Sequence, residues 1–130
     1  MSASSSSPGP HADRGWIRSA FWVGAPRAGA QARFETAINH ELVPRLAALP
    51  GVQRAVALWP AHREDDPPGI ACQVIAEFRR RDDLDLMLGC PERAALRAGV
   101  RELLPLFDGA VSHIDYEITE PDLQHARSEP

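Results

Sequence analysis

The sequence predicts an α+β domain with the element order β-α-β-β-α-β, and two stretches carry that prediction. From Cys90 to Ile118 the residues CPERAALRAGVRELLPLFDGAVSHIDYEI read as a capped amphipathic helix, a Phe107-Asp108-Gly109 turn and a strand. The same logic appears earlier, where a helix from about Ala30 ends at Leu49-Pro50-Gly51 and a strand follows from Val52. Each of these helix-to-strand units is preceded by a further strand. Such an order constrains architecture strongly and chemistry weakly.

Trp16 to Ala25 forms the first strand, with Ile17, Phe21 and Val23 on one face and Ala20, Trp22 and Gly24 on the other. Both faces are largely apolar, so both should be covered. Helix one places Phe34, Ile38, Leu42, Leu46 and Leu49 on one stripe. Pro44 falls inside that run and predicts a kink, because proline lacks the backbone donor and clashes one turn back. Val52 to Trp59 is strand two, and the breaker-rich PAHREDDPPG is a polar connection. Strand three, Ile70 to Phe78, alternates Ile70, Cys72, Val74, Ala76 and Phe78 against Ala71, Gln73, Ile75 and Glu77. A short helical turn is expected at Leu84 to Leu88. Pro91 then opens helix two, where its missing N–H matters least, with Leu96, Val100, Leu103, Leu104 and Phe107 on one side. Strand four, Gly109 to Thr119, alternates Ser112, Ile114, Tyr116 and Ile118 with Val111, His113, Asp115 and Glu117.

Composition narrows the function classes. The chain has 130 residues, 44% of them apolar, which suits one domain able to build a core without metal or disulfide. A net charge of −4 gives no electrostatic reason to expect nucleic acid or an anionic membrane as partner. All fourteen basic residues are arginine, so this sequence supplies no lysine for Schiff-base chemistry. Cys72 and Cys90 form no CxxC and have no clustered histidines, which argues against zinc. Cys72 reads as an inert buried thiol. No apolar run approaches the roughly 20 residues of a membrane span. Residues 1–15 read as a disordered Ser/Pro-rich tail without an export signal, 16–119 as the domain, and 120–130 as a C-terminal extension. A cytoplasmic location follows from the sparse cysteines and the missing signal.

Two helices on one side of a four-stranded sheet leave the other side bare. Whichever strand-one face lies there is too apolar for water, and an exposed patch of more than about 300 Å² usually marks an interface. The expected cover is a second copy in a two-fold dimer.

These pieces resemble the dimeric α+β barrel (ferredoxin-like) proteins, and most of all their EthD-like branch. The resemblance rests on Phe34, Leu49-Pro50-Gly51-Val52, Cys90-Pro91-Glu92-Arg93 and Phe107-Asp108-Gly109 leading to Tyr116-Glu117, over Ala20 to Ile118. It implies a ferredoxin-like βαββαβ sandwich, a four-stranded antiparallel sheet with two helices on one face, dimerising into a barrel. It also implies, as one group of activities, isomerases, cyclases and cofactor-free monooxygenases. EthD-like proteins often carry a histidine in helix one shortly before Pro-Gly, which here points to His40, although its spacing to Pro50 is longer than the family's.

His40 otherwise falls on the side of the helix opposite the apolar stripe, the place of a solvated histidine. His113 and Asp115 are i, i+2 on strand four and share a face, with Glu117 continuing the row. A carboxylate beside an imidazole can fix its tautomer for general acid–base work, but that spacing is about 7 Å, long for a hydrogen bond. The bland reading is the wetter face of an edge strand. Trp22, Trp59, Gln73 and Tyr116 could line a cavity for a planar ligand, or simply pack. Arg93, Arg97 and Arg101 read as a solvated stripe, with an anion contact as the alternative.

Two functions remain open. One is a small-molecule enzyme acting without cofactor or metal on an apolar cyclic or aromatic oxygenated compound. It would use His40 or His113 as base, Tyr116 as enolate stabiliser, and Trp22 and Trp59 as walls. The other is a non-catalytic dimeric module that binds a hydrophobic ligand or partner protein.

Overall fold

The computed structural model describes residues 15–120, so the expected tail and C-terminal extension lie almost wholly outside the described residues. Strands β1 (Trp16–Pro26), β2 (Arg54–Leu58), β3 (Ile70–Phe78) and β4 (Phe107–Glu117) form one antiparallel sheet in the order β2-β3-β1-β4. Between β1 and β2 the chain forms α1 (Gln31–Ala37), a π-helical turn (Ile38–Leu42) and α2 (Val43–Ala47). Between β3 and β4 it forms α3 (Arg81–Gly89), α4 (Glu92–Leu103) and a 3₁₀ turn (Leu104–Leu106).

The expected kink near Pro44 takes the form of this π turn. Pro44 cannot donate to the carbonyl one turn back. The helix widens just before it, and the Val43 N–H reaches the Ile38 carbonyl five residues earlier. The stripe survives the widening: Phe34, Ile38, Leu42, Leu46 and Leu49 are all buried. Gly51, at φ +85°, turns the chain into β2, and a β-carbon there would overlap the Asp83 carbonyl.

Strands two and four end short of the expected Trp59 and Thr119, and two other boundaries shift further. The turn at Phe107-Asp108-Gly109 is already strand, since these residues pair with Pro26, Ala25 and Gly24 across β1. The turning is done earlier by the 3₁₀ segment around Pro105. Gly24 and Gly109 face each other at φ +133° and +153°, and each lacks the β-carbon that would strike the opposing strand's backbone. The helical turn expected at Leu84 to Leu88 extends to the nine residues of α3, with Leu84 and Met87 buried.

Register decides the faces. Trp16, Arg18, Ala20 and Trp22 of β1 lie opposite Phe78, Ala76, Val74 and Cys72 of β3, all four buried under the helices. On the other side they pair with Glu117, Asp115, His113 and Val111 of β4. The alternate residues, Ile17, Ser19, Phe21 and Val23, face away from the helices. They share that open face with Val56, Leu58, Gln73, Ile75, Ile114 and Tyr116. Val23, Leu58, Ile114 and Tyr116 are large apolar or aromatic groups left exposed there.

Candidate active-site cavity

Under the helices, Trp22, Phe34 and Phe107 form the closed end of the core, with ring centroids 5.1 to 5.3 Å apart. Beyond them the helices stand off the β1–β4 half of the sheet and leave a cavity of about 690 Å³. Its floor is Ala20, Trp22, Val74, Ala76 and Val111, and its helical walls include Leu42, Leu46, Leu96 and Val100. This volume fits a small organic molecule, for which pockets of about 300–1,000 Å³ are usual.

The polar end of the cavity is cationic. His113 on β4, Arg18 on β1, and Arg93, Arg97 and Arg101 on α4 all line it. Arg18 Nη1 donates to both carboxylate oxygens of Asp115, at 3.0 and 3.2 Å, across the β1–β4 register. Arg93 is half-buried and donates to the Leu88 carbonyl at 3.2 Å. Burial, followed by the neighbouring Arg18 and Arg97 charges, pulls the Arg93 pKa down from its ordinary value. A guanidinium nonetheless stays protonated in a protein.

His113 sits at the rim of this end. Part of the residue is open to solvent, yet the atoms packed around the ring desolvate it. That desolvation first, then the Arg18 and Arg93 charges, hold its pKa below the ordinary imidazole value; Asp115 opposes them and Arg97 adds to them. The shift favours the neutral imidazole, the form a general base requires. A lowered pKa means that the unfolded chain takes up a proton before the folded one as pH falls. His113 thus removes stability as pH drops below about 6.5, with no further loss below its folded pKa. We expect an NMR titration to give a His113 midpoint below that of free histidine, and His113→Gln to flatten this part of the stability profile.

The structure regroups the sequence candidates. Asp115 shares the helix-side face with His113, but its carboxylate is taken by Arg18 and no hydrogen bond joins it to the imidazole. A cross-strand cation directly opposite outcompetes a ring two residues along the same strand. Tyr116 points to the open sheet face, away from His113, so the two cannot act on one ligand within this cavity. Gln73 also lies on the open face, where it accepts a hydrogen bond from Ser19 Oγ at 3.1 Å. Trp59 is separated from Trp22 by the Phe34 ring, which packs edge-on against both. Its Nε1 donates to Asn39 Oδ1 at 2.9 Å, beside a second cavity of about 390 Å³ lined also by Glu35 and Arg63. His40 is exposed on the π turn and lines neither cavity. Of the residues named from sequence as catalytic or pocket-lining, Trp22 and His113 line the large cavity, with Asp115 behind Arg18, and the arginine stripe Arg93, Arg97 and Arg101 joins them there.

Sequence reasoning passed over Arg18 and read the α4 arginines first as a solvated stripe, with an anion contact as the alternative. One signal was available: on a helical wheel Arg93 falls inside the arc of Leu96, Val100 and Leu104, so a helix burying those residues brings Arg93 with them. Burial also pushes the Cys72 thiol up to about 12, as suits an inert core residue. Among the described residues no group of three or more His, Cys, Asp or Glu side chains could hold a metal ion. No described helix is long and apolar enough to cross a membrane.

No protein-family model matches the chain, and no curated protein matches it. Solved structures do. An ethyl tert-butyl ether D (EthD) family protein of Bacillus halodurans superposes with a TM-score of 0.64 at 11% identity, over 81% of this chain and 99% of that one. SnoaB of Streptomyces nogalater, a cofactor-independent oxygenase, superposes with a TM-score of 0.53 at 23% identity, over 85% of this chain and 98% of that one. A dimeric protein of unknown function and ferredoxin-like fold from Bacteroides fragilis gives 0.52 at 14% identity, over 80% and 96%. The chain has the ferredoxin-like fold of these structures. The cavity lies between the chain's own sheet and helices, not on the open sheet face.

Proposed function

We propose that this chain is a small-molecule enzyme that works without a cofactor on an apolar cyclic or aromatic oxygenated compound, held between sheet and helices. The observation that carries the reading is an imidazole, His113, lining a cavity of about 690 Å³ whose walls are mostly apolar; its surroundings favour the neutral form. His113 takes a proton from the carbon next to a substrate carbonyl. The enolate left behind gains from the nearby Arg93 guanidinium, fixed by its bond to the Leu88 carbonyl. Trp22 and the α4 side chains exclude water and position the ring. SnoaB, a cofactor-independent oxygenase of the same fold, is consistent with this class of reaction. The protomers pair through the open sheet face; the exposed apolar groups there and the dimeric Bacteroides protein support that assembly.

The test is a thermal-shift screen against quinones, lactones and phenolic polyketides, followed by turnover assays on the hits. His113→Gln should lower turnover at least about a hundredfold, as loss of a general base does. His40→Ala should leave it unchanged. Stabilisation by a ligand with no reaction in the wild type would favour the non-catalytic binding module instead, and turnover surviving in His113→Gln would remove His113 as the base.

A further inference from the structure

The cavity's charge is at odds with the chain's. The whole sequence carries −4, yet four arginines and one histidine line the cavity and, among the described residues, no carboxylate does. Arg18 is balanced by Asp115. Arg93 spends a donor on a backbone carbonyl. Arg97 and Arg101 have no ion pair or hydrogen bond among the described residues. They sit one turn apart on α4 beside Val100 and Leu104, at the solvent-facing end of an otherwise apolar chamber.

We propose that the ligand of this cavity is an amphiphile with a carboxylate, and that Arg97 and Arg101 hold that carboxylate at the mouth while the apolar ring lies against Trp22 and Val111. The inference rests on the functional reading of the cavity and deepens it by naming the substrate class. Three physical points favour it. Guanidinium groups form short, paired hydrogen bonds to carboxylates that lysine or histidine cannot match. An anion among these guanidiniums offsets the repulsion from Arg18 and Arg97 that adds to burial in lowering the Arg93 pKa. Arg93, Arg97 and Arg101 come from the helix side of the cavity and Trp22, Val74 and Val111 from its sheet floor, so a ligand can turn an anionic group to the helix and its ring to the sheet. A fully uncharged polyketide would leave the mouth arginines without a role.

A matched pair of competitors separates this from simple greasiness. The neutral dye N-phenyl-1-naphthylamine reports occupancy of the cavity by its fluorescence, and 2-naphthoate and 2-naphthamide differ only in the anionic group. For the wild-type protein, 2-naphthoate should displace the dye with an affinity at least about tenfold above that of 2-naphthamide. In Arg97→Gln/Arg101→Gln the preference should vanish while 2-naphthamide stays within about twofold of its wild-type affinity. Arg79→Gln, far from the cavity, should keep the preference. Equal displacement by both competitors in the wild type overturns the carboxylate inference and leaves the enzyme reading standing. A preference that persists in the double variant overturns the assignment to Arg97 and Arg101. Failure of the dye to bind overturns both readings, because the cavity would then not accept apolar rings.

Discussion

Replacing Phe34 by alanine is expected to cost about 3–5 kcal/mol of stability, the range for removing a fully packed aromatic ring. Phe34 is 0% exposed and touches Trp22, Trp59 and Phe107 at centroid distances of 5.3, 6.1 and 5.1 Å. It is the main anchor of α1, a helix of seven residues, too short to hold its conformation without tertiary packing. Its ring also forms the partition between the aromatic core and Trp59 beside the second cavity, so the space it vacates has no side chain free to refill it. A domain of this size has about 5–15 kcal/mol in total, so the loss is a large share. Urea denaturation at fixed protein concentration should show the midpoint falling with an unchanged slope. A loss below about 1 kcal/mol would mean that the surrounding rings collapse into the gap, contrary to the rigid cluster described here.

The second large effect concerns assembly. Ile114→Glu should turn the proposed dimer into a monomer, raising its dissociation constant at least about a thousandfold. Ile114 is 46% exposed and sits on the open face opposite Ser19, so its substitution removes little from the protomer's own core. A two-fold interface repeats the change, and each buried carboxylate lacks a partner, which costs several kcal/mol in total. A stable pairing of this kind covers about 1,600 Å², more than enough to hide Val23, Leu58 and Tyr116 as well. Sedimentation velocity at micromolar concentration reads the outcome directly. Wild-type protein running as a monomer would refute the pairing, whatever the variant does.

Much of this fold was readable because its signals are local. The stripe Phe34, Ile38, Leu42, Leu46 and Leu49 has helical spacing and is buried throughout. The period-two alternation matches the burial of β3 from Cys72 to Phe78, and is broken at Ile70, where a bulge sets it against Val23. Pro44 announced an irregularity, and the π turn supplies it. The site was far less readable. His113 and Tyr116 stand three apart on one strand, and an odd separation along a strand places side chains on opposite faces. The alternation already contained that, but only the sheet's pairing says which face the helices cover.

What the sequence determined by itself was the order of elements, their periodicities and the certainty that one sheet face would be left apolar. These follow from backbone geometry and side-chain spacing, which act over a few residues. What only the tertiary structure decided was which groups meet. Register set Arg18 against Asp115 and left His113 without a carboxylate partner. The seating of α4 over the β1–β4 half of the sheet turned a stripe of arginines into the wall of a chamber. Contacts between residues 97 positions apart, as Arg18 and Asp115 are, depend on how layers pack, and no local pattern in the chain encodes that.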